Sequence, residues 1–182
     1  MKTYKFYLNK KWDKPFTSLI FSISLVFISV SAFGTENGIS NNDITTYSFE
    51  ELSPRLHQQN DSLYVINFWA TWCAPCVKEI PAFEKIQSEY ADQKVKVLFV
   101  SLDFPGQINS RLIPFIEKMN MQAEVVLLDE VDGNKWIPKV DDNWSGAIPA
   151  TLIYNAEKRE FFAREFTYEE LQQTLHTFLN IK

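Results

Sequence analysis

The sequence predicts an α/β protein with a central mixed β-sheet flanked by helices on both faces. Residues 63–69 and 96–102 are continuous runs rich in β-branched and aromatic residues, which are typical of strands buried on both faces. A stretch with helical periodicity follows each run, and parallel strands joined by helical crossovers have this order. Residues 150–154 and 160–166 instead bracket a short turn at 155–158, which predicts an antiparallel hairpin and therefore a mixed sheet.

The remaining elements follow from capping signals and apolar spacing. Ser48-Phe49-Glu50-Glu51 has capping-box spacing and predicts a short helix that ends near residue 59. A longer helix is predicted over residues 73–90, with an inward stripe formed by Val77, Ile80, Phe83, Ile86 and Tyr90. The later elements are a helix at 109–119, a strand at 125–128 and a final helix that is capped at Thr167 and has an apolar face of Leu171, Leu175, Phe178 and Leu179.

Length, composition and charge restrict the class of protein. The chain has 182 residues, of which 46% are apolar and 15% aromatic, and this profile excludes a disordered or collagenous protein. We expect a linker over residues 35–45 and one folded domain over residues 46–182. After residue 34 the chain holds 13 basic and 22 acidic residues, a net charge of −9. Nucleic acid is therefore not an expected partner, because phosphate binding depends on clustered Lys and Arg.

Residues 1–34 have the pattern of a signal peptide. Five Lys residues precede an uncharged run over residues 16–33. Small residues follow at Val30-Ser31-Ala32 and Gly34, near the end of this run. Cleavage after Ala32 or Gly34 would release the protein into the periplasm or at the extracytoplasmic face of a bacterial membrane. The alternative is a retained membrane anchor, since the run is longer than a usual signal core, although its five serines disfavour a permanent span.

Cys73 and Cys76 are the only cysteines of the chain, and they lie three positions apart. A disulfide that closes so short a loop constrains the unfolded chain very little, which disfavours a structural role. Zinc is the competing use of this spacing, but a structural site needs four ligands, and His57 and His176 are isolated in the sequence. The pair also follows the carboxyl end of a buried strand, where sites in such sheets lie. We therefore expect a redox-active pair, no metal and no other cofactor.

The position of each thiol predicts its role. Cys73 would lie at a helix N-terminus, where free N–H groups and the helix dipole stabilise a thiolate, so it is the predicted nucleophile. Cys76 lies one turn further into the helix and is the predicted resolving thiol, which attacks the mixed disulfide and releases the reduced partner. The alternative is a pair of inert buried cysteines.

Residues 68–76, Phe-Trp-Ala-Thr-Trp-Cys-Ala-Pro-Cys, followed much later by Ile148-Pro149 at the head of a strand, resemble the thioredoxin superfamily. The adjoining residues 76–81, Cys-Val-Lys-Glu-Ile-Pro, resemble the exported TlpA/ResA-like thiol-disulfide oxidoreductases. The resemblance covers roughly residues 45–180 and implies a thioredoxin-like fold and a thiol-disulfide oxidoreductase activity. It also implies that relatives act as reductants, for example on apocytochrome or copper-site thiols.

Glu79 lies three residues after Cys76 on the same helical face, close enough to exchange a proton with that thiol. The alternative is an ordinary exposed helix glutamate. The TlpA/ResA-like resemblance, in which a Glu at this place is functional, implies a catalytic role. Asn67 stands where thioredoxin itself usually has a buried acidic residue, so Glu79 is expected to substitute for that proton acceptor.

Three further residues are predicted to contact the partner. Trp72 would pack beside the thiol and form an aromatic rim. The superfamily resemblance implies a cis peptide bond between Ile148 and Pro149 that faces Cys73, which would expose the backbone of Ile148 to an extended partner segment. The alternative is an ordinary trans turn proline.

Residues 129–147 are longer than a simple connection between two strands. They contain Trp136 and Trp144 together with five acidic residues. Connections of this length are often functional, and this one leads directly to Ile148-Pro149, so it is a candidate for partner selection. The alternative is a small helix that packs both tryptophans into the core.

The combined interpretation is an exported protein-disulfide reductase that cycles between a Cys73/Cys76 dithiol and disulfide. Its expected partners are protein thiols and disulfides, with a membrane thiol transporter as electron donor because the chain has no third cysteine. We expect a monomer. A thiol peroxidase or a copper-handling protein on the same fold is the alternative, although neither His57 nor His176 is placed to supply the histidine ligand of copper-handling relatives.

Overall fold

The computed structural model describes residues 44–179, and these residues build one six-stranded mixed sheet. The strands are β1 (Thr46–Tyr47), β2 (Leu63–Trp69), β3 (Val95–Ser101), β4 (Glu124–Leu128), β5 (Ala150–Tyr154) and β6 (Arg159–Phe162). Their spatial order is β1-β4-β3-β2-β5-β6. The first four strands are parallel, β5 is antiparallel to β2, and β6 is antiparallel to β5. The predicted mixed sheet is confirmed.

Five α-helices accompany the sheet in this part of the chain. They are α1 (Phe49–Leu52), α2 (Ala74–Glu89), α3 (Ile113–Met119), α4 (Gly133–Val140) and α5 (Tyr168–Leu179). Short 3₁₀ turns occupy Ser53–Leu56, Ala91–Gln93 and Pro105–Gln107, and a π-helical turn at Ile108–Leu112 leads into α3.

The helices pack on both faces of the sheet and form two hydrophobic cores. Helices α2, α3 and α5 cover one face, where Phe83 and Leu175 share a core with Phe99 of β3. Helices α1 and α4 cover the other face, where Phe49 packs in the same core as Phe68 of β2. Strands β2 and β3 are therefore buried on both sides, which explains their uninterrupted apolar sequences.

The predicted signal peptide over residues 1–34 and most of the linker over residues 35–45 lie outside the described residues. Within residues 44–179, no helix combines the length and the apolar character needed to cross a membrane.

The first helix is shorter than predicted. Its capping box is formed, since Glu51 accepts a hydrogen bond from the backbone of Ser48 at 2.9 Å and Ser48 accepts one from Glu51 at 3.4 Å. The α-helix then tightens into a 3₁₀ turn that ends at Leu56 and not near residue 59. Pro54 accounts for this change, because it lacks the N–H that would continue the helical hydrogen bonds.

Strand β1 was not predicted, and β6 ends earlier than predicted. The two residues of β1 are too few to show a periodicity, and they are fixed by pairing with β4. The amide of Leu127 in β4 and the amide of Asp129 just after it donate to the carbonyl oxygens of Thr45 and Tyr47 at 3.0 and 2.8 Å. Strand β6 ends at Phe162 and not at residue 166, because the following residues leave the sheet and approach α2.

Residues 129–147 contain α4 and bury both tryptophans, so the packing interpretation of this connection is correct. Trp136 and Trp144 are 5% and 4% exposed, and their rings lie 5.3 Å apart. The indole of Trp144 also donates a hydrogen bond to the Ala147 carbonyl at 2.8 Å, immediately before Ile148. The connection therefore anchors the start of β5.

Candidate active site

Both cysteines lie at the start of α2, just after the end of β2. Strand β2 ends at Trp69, a tight turn is closed by a hydrogen bond from the Cys73 amide to the Ala70 carbonyl at 3.1 Å, and Cys73 is the N-cap residue of α2. Cys73 and Cys76 form a disulfide with a Cα–Cα distance of 5.3 Å. Cys73 is 6% exposed and Cys76 is 0% exposed, so only Cys73 borders the solvent.

The N-terminus of α2 provides electrostatic stabilisation for a thiolate at Cys73. The Cys76 amide donates a hydrogen bond to Cys73 Sγ at 3.3 Å, in the place of a capping oxygen. Pro75 lies in the first turn, where its missing N–H costs no helical hydrogen bond. A negative charge on Cys73 Sγ is therefore favoured by this amide and by the helix dipole.

The backbone before Pro149 lies next to the nucleophile. The Ile148–Pro149 peptide bond is cis, as the resemblance implied, and the Ile148 carbonyl oxygen lies 3.8 Å from Cys73 Sγ. Trp72, beside Cys73, is 52% exposed. The structure thus brings Trp72, Ile148 and Pro149 to the same edge of the sheet as the thiols.

Glu79 is a buried residue, so the interpretation as an exposed helix glutamate is wrong. It is 1% exposed, and its two carboxylate oxygens each accept one hydrogen bond at 2.8 Å, Oε1 from the Asn67 side chain and Oε2 from the Phe166 amide. Burial raises the pKa of Glu79 to about 7, because the charged form loses hydration, while the two hydrogen bonds oppose this shift. The carboxyl group can therefore gain or lose a proton near neutral pH.

Asn67 connects Glu79 to the sheet. It lies on β2 with 0% exposure, and its Nδ2 donates to both Glu79 and Thr151 Oγ1, the latter at 3.1 Å. Among residues 44–179, nothing pairs with Asn67 Oδ1. The buried acid of this site therefore comes from α2, while β2 contributes a neutral amide.

Asp103 is a buried residue of the site that the sequence analysis missed. Its carboxylate accepts hydrogen bonds from the Thr71 amide at 3.0 Å, from Thr71 Oγ1 at 2.6 Å and from Ser101 Oγ at 2.9 Å. These hydrogen bonds attach the turn that precedes Cys73 to the end of β3. The available signal was a Ser-x-Asp sequence at the carboxyl end of the second buried strand, at the same edge as the thiols.

Neither histidine joins the thiols. His57 Nδ1 lies 2.9 Å from the Ser53 carbonyl oxygen, and His176 Nε2 lies 2.8 Å from the Tyr90 hydroxyl. In the described range 44–179, no group of three or more His, Cys, Asp or Glu side chains is arranged to hold a metal ion.

Comparisons with known proteins agree with this geometry. Residues 40–159 match the AhpC/TSA family. The thioredoxin-like protein YneN of Bacillus subtilis (strain 168) is 37% identical over 94 residues, which cover 52% of this chain and 55% of YneN. The thiol-disulfide oxidoreductase ResA of Halalkalibacterium halodurans is 23% identical over 149 residues, which cover 79% of this chain and 80% of that protein. The chain thus spans about half the length of YneN and four fifths of that ResA.

Solved structures show the same fold. A thiol:disulfide interchange protein of the thioredoxin family from Chlorobium tepidum TLS has a TM-score of 0.56 at 18% identity, over 70% of this chain and 84% of its own. A secreted thiol-disulfide isomerase from Corynebacterium glutamicum also has a TM-score of 0.56, at 17% identity, over 66% of this chain and 72% of its own. The chain therefore belongs to the AhpC/TSA family, and it has the fold and the cysteine pair of a thioredoxin-like thiol-disulfide oxidoreductase.

Proposed function

We propose that this protein is an exported thiol-disulfide oxidoreductase that reduces disulfides of partner proteins. The observation that carries the proposal is the asymmetry of the two cysteines. Cys73 caps α2, borders the solvent and accepts a hydrogen bond from a backbone amide, whereas Cys76 is fully buried behind it. A nucleophile that borders the solvent and a resolving thiol that is fully buried are what a dithiol reductant needs.

The reaction proceeds by two exchanges. The Cys73 thiolate attacks one sulfur of the partner disulfide, the partner S–S bond breaks, and the second partner sulfur leaves as a thiolate that takes up a proton. Cys76 then loses its proton and attacks Cys73 Sγ, which releases the first partner sulfur as a thiol. Two electrons have passed to the partner, and Cys73 and Cys76 are joined as they are in the structure.

Glu79 is the proposed acceptor of the proton that Cys76 loses. Its support is its position one turn after Cys76 in α2, its burial and its pKa of about 7. An ionised Glu79 also disfavours a thiolate nearby and so favours the disulfide over the dithiolate form of the reduced pair. This effect lowers the reduction potential of the pair, in the direction of a reductant.

Export and electron supply rest on the sequence. The Lys-rich start and uncharged run of residues 1–34 support export to the periplasm or the extracytoplasmic membrane face. With two cysteines in the chain, the disulfide must be reduced again by another protein, for which we propose a membrane thiol transporter. Apocytochrome and copper-site thiols are the proposed kinds of substrate.

The cysteine roles predict different behaviour of two serine variants. Cys76→Ser should accumulate mixed disulfides with partner proteins, because the resolving thiol is gone, whereas Cys73→Ser should accumulate none. Non-reducing gels of cells that express each variant measure this difference. Equal accumulation by both variants would contradict the assignment.

The direction of electron flow predicts the state of the pair in the cell. Alkylation of free thiols in intact cells should recover the protein mainly as the dithiol, and the reduction potential should lie nearer to that of thioredoxin than to those of strong oxidants. A tenfold change in the exchange equilibrium corresponds to about 30 mV. Recovery mainly as the disulfide, with a potential near those of strong oxidants, would make the protein an oxidase.

A thiol peroxidase is the second candidate, because the AhpC/TSA family match fits it as well. A peroxidatic cysteine usually lies in a T-x-x-C sequence without a second cysteine three residues later, and Cys73 differs on both points. The reduced protein should therefore reduce a protein disulfide faster than it consumes hydrogen peroxide. The opposite order of rates would favour the peroxidase.

A further inference from the structure

The large hydrophobic side chains that are exposed within residues 44–179 all lie at one edge of the sheet. They are Trp72, Phe104 and Val131, which are 52%, 68% and 97% exposed. Each lies three residues beyond the end of a parallel strand, β2, β3 and β4 in that order. Because these strands are neighbours, the three residues form a row along the carboxyl edge that begins beside the thiols.

The first two loops of this row are held together. Asp103 on the β3 side accepts two hydrogen bonds from Thr71 on the β2 side, and the next residues of the two loops are Phe104 and Trp72. Neighbouring strands lie about 4.8 Å apart, so the row crosses about 10 Å from β2 to β4. Single exposed hydrophobic residues are common, but several at one edge indicate an interaction surface.

The row lies on the opposite side of Cys73 from the cis proline. Strand β2 is flanked by β3 on one side and by β5, which follows Ile148–Pro149, on the other. A partner that pairs with the Ile148 backbone on one side of its disulfide would continue across Phe104 and Val131 on the other side.

The far end of the row is acidic. Val131 lies between Glu130 and Asp132, and Asp129 precedes them. Lys135 pairs with Asp132 at 3.4 Å, while in residues 44–179 no ion pair involves Asp129 or Glu130. This end therefore attracts positive charge on an approaching molecule.

We propose that the row of Trp72, Phe104 and Val131 docks an extended segment of a partner protein, in which apolar residues and then basic residues lie on one side of the cysteine attacked by Cys73. This inference deepens the proposed function, on which it rests. An extended segment places alternate side chains about 6.8 Å apart on one face, so a few residues suffice to cross the row. The apolar residues cover Phe104 and Val131, and the basic residues lie beside Asp129 and Glu130.

Synthetic disulfide peptides test this specificity with the full chain in its reduced form. One short peptide carries its disulfide next to Leu and Lys residues, a second carries Ser and Glu at the same positions, and oxidised glutathione serves as a disulfide without a peptide segment that reaches the row. At low salt, the Leu/Lys peptide should be reduced about tenfold faster than the Ser/Glu peptide.

Two double variants separate the apolar and the charged contributions. Phe104→Ser with Val131→Ser should remove most of the preference for the Leu/Lys peptide and leave the rate with oxidised glutathione within about twofold. Asp129→Asn with Glu130→Gln should remove most of the salt dependence of that preference. Asp92→Asn with Glu117→Gln is the matched control, since it removes the same charge from exposed residues outside this edge.

Equal rates with the two peptides would overturn the inference, as would a control variant that loses the salt dependence to the same extent. The proposed function fails in a different way. A reduced protein that exchanges with neither peptide nor with oxidised glutathione is not a thiol-disulfide oxidoreductase.

Discussion

At the scale of single residues, Glu79 joins the chemistry of the site to the stability of the fold. Burial raises its pKa from 4.5 to about 7, so the folded protein binds this proton more tightly than the unfolded chain does. The resulting stabilisation is complete below pH 4.5 and is lost as the pH rises through 7. The whole shift corresponds to about 3 kcal/mol in the free energy of unfolding.

Glu79→Gln should remove this pH dependence. Between pH 4.5 and 8 the free energy of unfolding of the wild type should fall by about 3 kcal/mol relative to that of the variant, because the variant has no proton to lose. The pH profile of thiol exchange should shift in parallel if Glu79 accepts the proton of Cys76. Urea unfolding across this pH range and exchange rates with a small disulfide measure both effects.

Glu117→Gln is the matched control for this experiment, since Glu117 is exposed on α3. It should keep the stability profile of the wild type. An exchange profile that is identical in Glu79→Gln and the wild type would leave Glu79 with a structural role only.

At the scale of secondary-structure elements, the turn between β2 and α2 depends on the end of β3. Three donors from Thr71 and Ser101 meet on the buried Asp103 carboxylate. Asp103→Asn leaves at least one of these donors without an acceptor, because an amide nitrogen replaces one oxygen. The cost of such a buried unpaired group is about 1–3 kcal/mol.

We therefore expect Asp103→Asn to lower the free energy of unfolding by about 1–3 kcal/mol and to slow thiol exchange, because the turn that positions Cys73 loosens. Chemical unfolding and exchange rates measure the two effects. Asp142→Asn, on an exposed residue, is the control and should change neither. An Asp103→Asn protein with wild-type stability and exchange rate would show that these hydrogen bonds do not hold the turn.

The sequence predicted elements whose pattern is local and missed contacts between distant positions. Strands β2 and β3 were predicted nearly to the residue, because burial on both faces leaves a continuous apolar run. The burial of Glu79 was not predicted, since its hydrogen-bond partner Phe166 lies 87 positions away in the sequence. The two residues meet only because the chain turns toward α2 after β6. Asp103 was missed for a similar reason, because Thr71 lies 32 positions away.

At the scale of the whole molecule, the chain after residue 34 is acidic and residues 1–34 are basic, which supports export. Mass spectrometry of the protein purified from the bacterial envelope should find a mature N-terminus at residue 33 or 35 if the signal peptide is removed. A full-length mass in the membrane fraction would instead support the retained anchor. Recovery from the cytoplasm at full length would contradict export.

The hydrogen bond from the Phe166 amide to Glu79 provides a natural spectroscopic probe of the active site. An amide proton that points at one carboxylate oxygen changes its NMR chemical shift when that carboxylate gains or loses a proton. A pH titration that follows the Phe166 resonance would thus read the charge of Glu79 directly, in the oxidised and the reduced protein alike. No label or substitution at the cysteines is needed for this measurement.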